Sequence, residues 1–385
     1  MTAESAFGWL LAQGSADRAA SDDARFMALA LDEARRGVGR TAPNPPVGAV
    51  LVKDGVVLAT GFHARAGERH AEVVALDVVA GGARGATLYV TLEPCTHQGR
   101  TPPCTDRILA EGIARVVVGS RDPNPRVSGG GLARLAAAGA AAELVRDPSM
   151  SAAANALLAP FSSAVTRQRP WVVLKVAATL DGRVAAASGS ARWITGALAR
   201  GLGHELRDAV DAVMVGSGTV QADDPALTVR DAPARPDGSP RRDPLRVVVD
   251  SGLSLDARAR VFGPGSMVVH SAGAAPERRR AFTEAGTECL LAGTGRVALD
   301  EALGALCARG VHSLLVEGGP RLATALWQAG LVDELWWFTA PCALGADGIA
   351  ALGPLGLSTP QEARRLTVLG RHAFADGDSL LVLGA

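Results

Sequence analysis

The chain has 385 residues, of which 48% are hydrophobic and 20% charged, a composition that is typical of a folded protein and excludes intrinsic disorder. Lysine plus arginine equals aspartate plus glutamate at 39 each, so the charge balance argues against nucleic acid or a membrane surface as partner and favours a small molecule. No apolar run reaches the roughly 18 residues of a membrane span and the first twenty residues lack the pattern of a secretory signal, which predicts a cytoplasmic protein. Five cysteines, an odd number in a long chain, argue against a disulfide framework.

A chain of this length exceeds one ordinary hydrophobic core, so two domains are expected. We predict a polar N-terminal tail over residues 1–22, a first domain over 23–165 and a second over 166–385. In the first domain the apolar spacing predicts helices over 21–36, 71–80, 104–111 and 132–138. Strands are predicted over 47–53, 56–60, 86–92, 115–119 and 142–145, and Asp54-Gly55 is a strong hairpin signal between the first two. This order predicts a layered α/β domain.

The predicted boundary near residue 165 lies in a stretch, residues 148–170, in which the periodicity weakens, Pro160 interrupts it and no helix or strand is predicted. Strands are then expected over 172–178, 212–215, 246–250, 266–269, 313–317 and 334–339. The clearest helical segments are 298–309 and 321–328, so a second α/β domain is predicted. Residues 231–243 are rich in proline and are expected to form an irregular surface loop.

A metal-binding pattern lies in the first domain, where His70-Ala71-Glu72 begins one predicted helix and Cys104 begins another. Glu93-Pro94-Cys95 follows the strand between them. One histidine and two thiolates suit tetrahedral zinc and leave a fourth position for water, which the metal acidifies toward neutral pH. Glu72 is then placed to move protons from the water to a departing amino group. The pattern predicts a zinc-dependent hydrolytic deaminase with His70, Cys95 and Cys104 as ligands and Glu72 as catalytic residue.

The alternatives to this interpretation remain open at the level of sequence. His-x-Glu occurs by chance in many proteins, and His97 could complete a closed, structural zinc site in which Glu72 has no role. The other three cysteines lie in apolar surroundings and are expected to be buried packing residues rather than ligands; they are Cys289, Cys307 and Cys342.

The motifs of the whole chain after residue 22 resemble the RibD family, the bifunctional enzymes of riboflavin biosynthesis. In the first domain the resemblance is carried by Thr41-Ala42-Pro43-Asn44-Pro45-Pro46-Val47-Gly48, Gly67 to Glu72, Thr91 to Cys95, Gly99 to Cys104 and Asp122-Pro123-Asn124-Pro125. In the second it is carried by Leu174-Lys175, Leu180-Asp181-Gly182, Trp193-Ile194-Thr195, Ala222 to Pro225, Leu227 to Arg230 and Val316 to Pro320.

This resemblance implies two folds and two activities. The N-terminal domain is expected to be a cytidine-deaminase-like three-layer α/β/α domain, and the C-terminal one a dihydrofolate-reductase-like α/β domain. The first would deaminate 2,5-diamino-6-(ribosylamino)-4(3H)-pyrimidinone 5'-phosphate with Zn²⁺. The second would use NADPH to reduce the ribosyl group of 5-amino-6-(5-phosphoribosylamino)uracil to ribityl.

By the same resemblance, substrate contacts in the deaminase are Asn44, His63, His97, Arg100 and Thr101. Arg100 suits a bidentate phosphate contact, although an arginine in such a loop is more often a solvated charge. Without the resemblance, Asn44 would be read as a turn residue between prolines.

In the reductase the resemblance implies that Arg207, Ala226, Arg230 and Glu317 hold the substrate, with the two arginines facing its phosphate. Val316 to Arg321 also has a physical signal of its own, because a strand turns through two glycines into a helix whose N–H groups can hold a dinucleotide phosphate. A simple tight turn is the alternative. The implied NADPH contacts are Ala177, Trp193, Thr219, Asp223, Ser251, Gly319, Pro320, Arg321, Leu322, Ala323, Thr324 and Ala325.

Lys175 and Glu317 are the candidates for proton handling beside hydride transfer, since a buried lysine can reach a useful pKa. The chain departs from the family at Ala191, where a serine is usual two residues before the tryptophan of Trp-Ile-Thr. Ser190 stands one position earlier, which leaves one reductase contact uncertain.

Two other function classes compete with this interpretation. An RNA base deaminase shares the His-x-Glu and cysteine chemistry but should have basic clusters, which the dispersed charges do not provide. A non-enzymatic, zinc-stabilised binding module is distinguished by the number of protein ligands on the metal. Members of the resembled family are often homo-oligomers, which is expected here too.

Overall fold

The computed structural model of the protein describes residues 5–11, 21–96, 102–125, 127–230, 232, 234–235 and 238–385. The chain divides into two compact units, Met1–Arg167 and Gln168–Ala385.

The first unit alternates helices with strands over most of its length, as the sequence predicts. Its helices are α1 Asp22–Arg36, α2 Ala71–Val79, α3 Cys104–Ala110, α4 Gly130–Ala137, α5 Pro148–Leu157 and α6 Ala159–Arg167. Its strands are β1 Gly48–Lys53, β2 Val56–Phe62, β3 Thr87–Leu92, β4 Arg115–Ser120 and β5 Ala141–Leu144.

Local sequence signals explain where the first elements begin and turn. The Ser21 side chain accepts a hydrogen bond from the Ala24 N–H and caps α1, whose apolar residues form one buried face. Asp54 and Gly55 both have positive φ, 51° and 76°, which joins β1 and β2 in the predicted antiparallel hairpin.

The five strands form one sheet in the order β2-β1-β3-β4-β5, in which β3, β4 and β5 are parallel. Helices α1 and α5 contact one another and one face of the sheet, whereas α2, α3 and α4 pack in sequence on the other. The result is the expected three-layer α/β/α arrangement. The segments that follow the carboxyl ends of β3 and β4 leave the sheet at the same edge, which is where such sheets place their sites.

Two segments of the first unit contain regular structure that the sequence does not predict. The predicted polar tail contains a 3₁₀-helix at Gly8–Leu11, and Ala6 and Phe7 before it are buried. The stretch 148–170, in which no regular element is predicted, contains α5 and α6. Pro160 does not break α6 because it lies in the first turn, where a helix needs no backbone N–H donor.

The second unit is also α/β. Its helices are α7 Ala197–Ala209, α8 Ser217–Asp223, α9 Pro276–Glu284, α10 Leu299–Ala308 and α11 Pro320–Gln328. Its strands are β6 Trp171–Thr179, β7 Arg183–Ala185, β8 Ala212–Gly216, β9 Leu245–Val249, β10 Ser266–His270, β11 Glu288–Leu291, β12 Ser313–Val316, β13 Glu334–Ala340, β14 Ile349–Ala350, β15 Thr367–Ala373 and β16 Ser379–Gly384. The loop predicted over 231–243 is described in part, and its described residues belong to no helix or strand.

Nine of these strands form one mixed sheet in the order β11-β10-β9-β8-β12-β6-β13-β16-β15. The strands from β11 to β13 are parallel, and β16 and β15 add as antiparallel strands at one side. The parallel strands have near-continuous apolar runs because helices cover both faces of such sheets. Their carboxyl ends therefore meet at one edge.

All five cysteines are free thiols, as predicted. The expectation that the last three are buried is wrong, because Cys289 and Cys307 are half-buried and Cys342 is exposed. Among the residues described, no helix is both long enough and apolar enough to cross a bilayer.

Strand β2 packs closely against α2, the helix that follows His70, and substitution of Gly61 tests this contact. A Cβ atom at Gly61 would lie 2.5 Å from the Ala71 carbonyl oxygen and 2.7 Å from the Ala75 nitrogen, so only glycine allows this approach. We expect Gly61→Ala to lower the free energy of unfolding by about 1–3 kcal/mol, since the helix must move. Gly295→Ala is the control because its Cβ would enter open space. Urea unfolding measures both; equal stability of Gly61→Ala and the wild type would contradict the close approach.

Candidate functional site

The three predicted metal ligands come together in the first unit because each lies at the end of an element. His70 is the residue before α2, Cys104 is the first residue of α3, and Cys95 follows β3. His70 Nδ1 lies 3.1 Å from Cys104 Sγ and 3.7 Å from Cys95 Sγ. The ligand atoms of all three residues are within 4.8 Å of one another.

These distances fit a tetrahedral zinc ion. With Zn–N near 2.0 Å and Zn–S near 2.3 Å, tetrahedral angles place ligand atoms roughly 3.5–3.8 Å apart. The separation of 3.7 Å lies within that range and the separation of 3.1 Å is slightly below it. Among the described residues this is the one group of three or more histidine, cysteine and carboxylate ligands close enough to share a metal. The donor set of one nitrogen and two sulfurs is also the set that zinc prefers.

The electrostatics of the cluster favour the metal-binding thiolate at Cys95, whereas Cys104 and His70 hold their protons more strongly and would release them to a metal. The hydrogen bond from Cys104 lowers the pKa of Cys95 to about 4 and raises the pKa of Cys104, so the two thiols share a proton that zinc would displace. The Cys104 backbone N–H, at the start of α3, also donates to Cys95 Sγ at 3.3 Å. The hydrogen bond with Cys95 raises the pKa of His70.

Glu72 lies in the first turn of α2 beside this cluster, and only 4% of its surface is exposed. Burial raises the pKa of its carboxyl group, against a smaller opposing effect of His70. A carboxyl group that protonates more readily than usual is suited to accept and return a proton.

A cavity of about 490 Å³ opens onto the cluster. Its volume is in the range of small-molecule sites. It is lined by Pro43, Asn44, Pro45, Val47, His63, Ala66, Gly67, Glu68, His70, Glu72, Leu92, Glu93, Cys95, Asp122, Asn124, Val127 and Phe161.

Two of the predicted substrate contacts are linked to each other in this cavity. Asn44 Nδ2 lies 3.0 Å from His63 Nε2, and His63 Nδ1 lies 3.0 Å from the Arg69 carbonyl oxygen. Burial lowers the pKa of His63, so its neutral ring donates through Nδ1 and accepts the Asn44 amide through Nε2. The histidine therefore sets which way the Asn44 amide faces. The other predicted contacts, His97, Arg100 and Thr101, lie outside the described residues.

Several lining residues were not predicted as site residues, among them Glu93, Asp122, Asn124 and Phe161. Glu93 precedes the Pro94-Cys95 pair, and Asp122 and Asn124 belong to an Asp-Pro-Asn-Pro motif that was recognised but given no role. Their position after β3 and β4 is the signal that could have found them, because the ends of adjacent parallel strands converge. Phe161 comes from α6, which the sequence does not predict.

In the second unit the residues predicted to handle substrate gather at the carboxyl edge of the parallel strands. Arg207 of α7 forms a two-pronged ion pair with Glu317, Nε to Oε1 at 2.6 Å and Nη2 to Oε2 at 2.9 Å. Burial alone would raise the pKa of Glu317, but Arg207, helped by Lys175, outweighs it and lowers the pKa to about 2. Burial lowers the pKa of Lys175 on β6. An ionised Glu317 has no proton to give, which leaves Lys175 as the candidate proton source of the pair.

The other residues predicted to contact substrate or NADPH lie along the same edge, and several of them form hydrogen bonds within the protein. Thr219 Oγ1 accepts a hydrogen bond from the Gly319 N–H at 3.0 Å, which joins α8 to the start of α11. The Arg230 N–H donates to His204 Nδ1 at 3.2 Å, and Ser251 Oγ accepts from the Val297 N–H at 3.0 Å.

The helix α11 begins with Pro320 and contains Arg321, Leu322, Ala323, Thr324 and Ala325 in its first turns. Trp193 is 71% exposed and stacks under the Arg200 guanidinium at 4.5 Å. Ala177 pairs with Phe338 within the sheet, the Asp223 carbonyl accepts from Arg192, and no contact is described for the Ala226 side chain.

Comparison with known proteins relates both units to one family. Residues 20–120 match the cytidine and deoxycytidylate deaminase zinc-binding region, and residues 170–377 match the RibD C-terminal domain. The riboflavin biosynthesis protein RibD of Aquifex aeolicus is 39% identical over 89% of this chain and 93% of its own length. That of Escherichia coli is 43% identical over 84% and 89%.

The chain belongs to the RibD family. A solved structure of Acinetobacter baumannii RibD covers 94% of this chain and 98% of its own, with a TM-score of 0.84 at 36% identity. A second, from Thermotoga maritima, is described as a diaminohydroxyphosphoribosylaminopyrimidine deaminase/5-amino-6-(5-phosphoribosylamino)uracil reductase and has a TM-score of 0.81 at 35% identity.

Family membership confirms the predicted fold classes, a cytidine-deaminase-like first unit and a dihydrofolate-reductase-like second unit. It also confirms the predicted enzyme class: a bifunctional deaminase and reductase of riboflavin biosynthesis, with Zn²⁺ and NADPH as cofactors.

The ligand cluster predicts about one zinc ion per chain in the purified protein. Cys95→Ser and Cys104→Ser are expected to lose the metal because a hydroxyl is a far weaker ligand than a thiolate. Cys307→Ser, a half-buried cysteine of the second unit, should retain it. Metal analysis after dialysis measures the content. Full zinc in either of the first two variants would contradict the assignment.

The cluster of Lys175, Arg207 and Glu317 in the second unit predicts that the pKa of Lys175 is lowered. The chain contains two lysines, Lys53 and Lys175, so Lys53→Arg leaves a single side-chain amine for ¹⁵N-lysine NMR. We expect Lys175 to titrate below the ordinary value of about 10.4. Glu317→Gln should lower its pKa further because the carboxylate charge that stabilises the ammonium is removed. The exposed Glu288→Gln is the control. A Lys175 titration at or above the ordinary value, or a rise in Glu317→Gln, would contradict the cluster.

Proposed function

We propose that the first unit deaminates 2,5-diamino-6-(ribosylamino)-4(3H)-pyrimidinone 5'-phosphate and that the second reduces the ribosyl group of 5-amino-6-(5-phosphoribosylamino)uracil to ribityl with NADPH. The observation that carries the proposal is the placement of Glu72. A buried carboxyl group that lines the same cavity as the ligands His70 and Cys95, beside the three-ligand cluster, has a role in hydrolysis that a structural zinc site would not give it.

In the deaminase, His70, Cys95 and Cys104 would hold zinc. When bound, zinc supplies a Lewis acid that makes a water-derived nucleophile available at neutral pH. Glu72 accepts the proton of the attacking water and passes it to the departing amino group. Water and the amine thereby become a carbonyl and ammonia, and Glu72 returns to its starting state.

The cavity wall would bind the pyrimidine through Asn44. With its amide N–H donated to His63, the Asn44 side chain can turn its oxygen and second N–H toward a ligand. His63 contributes to binding by holding that amide. His97, Arg100 and Thr101 are proposed as further substrate contacts, with Arg100 at the phosphate.

In the reductase the overall change adds a hydride and a proton to the substrate. NADPH supplies the hydride when bound, and the residues proposed to hold it are those around the Thr219–Gly319 hydrogen bond and the start of α11. Lys175 is proposed as the proton source. Arg207, Ala226, Arg230 and Glu317 are proposed to hold the substrate; Glu317 also fixes the Arg207 guanidinium through its ion pair.

The small-molecule partner is thus a phosphorylated pyrimidine. The cytoplasmic location and the homo-oligomer expected from the sequence stay predictions.

The proposal is tested by Glu72→Gln, which keeps the size of the side chain but cannot carry the proton. We expect deamination to fall about 10²- to 10⁴-fold while zinc stays bound. Ammonia release from the diaminopyrimidinone substrate measures the first activity. NADPH oxidation with the deaminated substrate measures the second, which should be unchanged in this variant.

Asp77→Asn, on the same helix but outside the cavity lining, is the matched control and should retain both activities. Retained deamination in Glu72→Gln would refute the role of Glu72. Loss of zinc in that variant would indicate that Glu72 is a metal ligand rather than a proton carrier.

A further inference from the structure

Glu93 is a buried carboxylate in the deaminase cavity to which the mechanism above gives no task. Only 3% of its surface is exposed. It lies between the end of β3 and the ligand Cys95, and its side chain points toward the segment after β4 rather than toward the metal ligands. Taking an ionised carboxylate out of water is costly unless several donors replace the water.

Three backbone N–H groups provide that replacement. Glu93 Oε2 accepts from Asp122 N at 3.2 Å and from Gly129 N at 2.9 Å, and Oε1 accepts from Leu132 N at 3.0 Å. Both oxygens are therefore engaged, one by the segment after β4 and one by the first turn of α4.

The start of α4 has no cap of its own. Gly129, the residue before the helix, has no side chain to accept the free N–H groups of the first turn, so Glu93, at the end of β3, accepts one of them instead. A second observation shows how close the fit is. A Cβ atom at Gly131 would lie 2.2 Å from the Pro94 carbonyl oxygen and 2.9 Å from Glu93 Cγ.

The anchored segment is part of the cavity wall. Asp122 and Asn124 both line the cavity. Asp122 Oδ1 accepts the Asn124 N–H at 2.8 Å in one tight turn. Because the Asp122 N–H is bonded to Glu93, Glu93 also fixes the position of Asn124.

We propose that Glu93 is a positioning residue for substrate binding: its carboxylate fixes the wall that contains Asp122 and Asn124 against the metal-binding strand. This inference rests on the proposed deaminase function of the cavity. Glu93 touches no reacting group, so its loss should weaken substrate binding and spare the chemical step.

The test is Glu93→Gln, which keeps the size of the side chain but places an amide NH₂ against backbone N–H donors. We expect KM for the diaminopyrimidinone substrate to rise about 10- to 100-fold, the range for hydrogen bonds to a charged group, with kcat within about threefold of the wild type. Zinc content should be unchanged.

Asp147→Asn is the matched control, because Asp147 also accepts two backbone N–H bonds at a helix start, that of α5, but does not line the cavity. It should lower thermal stability and leave KM unchanged. If Glu93→Gln behaves like Asp147→Asn, with lower stability and an unchanged KM, the proposal is overturned. A fall in kcat without a change in KM would overturn it as well.

A second variant covers the case in which Glu93→Gln does not fold. Asp122→Ala leaves Glu93 in place and removes the acceptor that holds Asn124. A raised KM supports the proposal, and a KM equal to that of the wild type overturns it.

Amide hydrogen exchange separates this inference from the proposed function. The Gly129 and Leu132 amides should lose protection in Glu93→Gln; unchanged protection would overturn the anchoring whatever the activity. If the wild type releases no ammonia from the substrate, the proposed function fails, and the exchange result still decides whether Glu93 holds the wall.

Discussion

The deaminase unit depends on one geometric constraint: an imidazole nitrogen and two sulfurs must converge within a single coordination sphere. Each of the three residues lies where a regular element begins or ends, so the rigidity of two helices and one strand sets their separation. The hydrogen bond between the two cysteines lowers the pKa of Cys95 and raises the pKa of Cys104, so Cys95 is the one that becomes a thiolate. The same convergence puts Glu72, one helical residue beyond the start of α2, next to the place where a reaction would occur.

Three glutamates, the buried Glu72 and Glu93 and the partly buried Glu317, show how one type of side chain acquires different tasks from its surroundings. Within the part of the chain that the structure describes, Glu72 forms no ion pair with an arginine or lysine; burial raises its pKa and suits it to proton transfer. Glu317 faces Arg207, which keeps it ionised and makes it a fixed negative charge beside Lys175. Glu93 faces backbone N–H groups, which stabilise its charge and use it as a structural anchor. The partner, rather than the carboxylate, decides the role in each case.

Both units use the same architectural device. Parallel strands end at one edge of a sheet, and the segments that follow bring residues from distant parts of the sequence together. In the first unit these are the segments after β3 and β4. In the second they are the segments after β8 and β12, which meet in the hydrogen bond between Thr219 and Gly319.

The sequence by itself determined the elements of the first domain up to residue 145, the central strands and two helices of the second, and the chemistry of the metal site. It did not predict α7, α8, α9 or the strands β7, β11, β14, β15 and β16. Several signals can be recognised from the order of residues alone. They are the hydrophobic period, the Asp54-Gly55 turn and the spacing of His70, Glu72, Cys95 and Cys104. The boundaries of most helices and strands follow from them to within one or two residues.

Tertiary structure decided what depends on neighbours that are far apart in the chain. The helix α5 was missed because its amphipathic pattern is weak and packing against α1 and β4 supports it, and α6 was missed because Pro160 was read as an interruption. The exposure of Cys342, the proton state of Glu317 and the anchoring role of Glu93 were equally out of reach. Burial and pairing are properties of the folded environment, and no residue carries them alone.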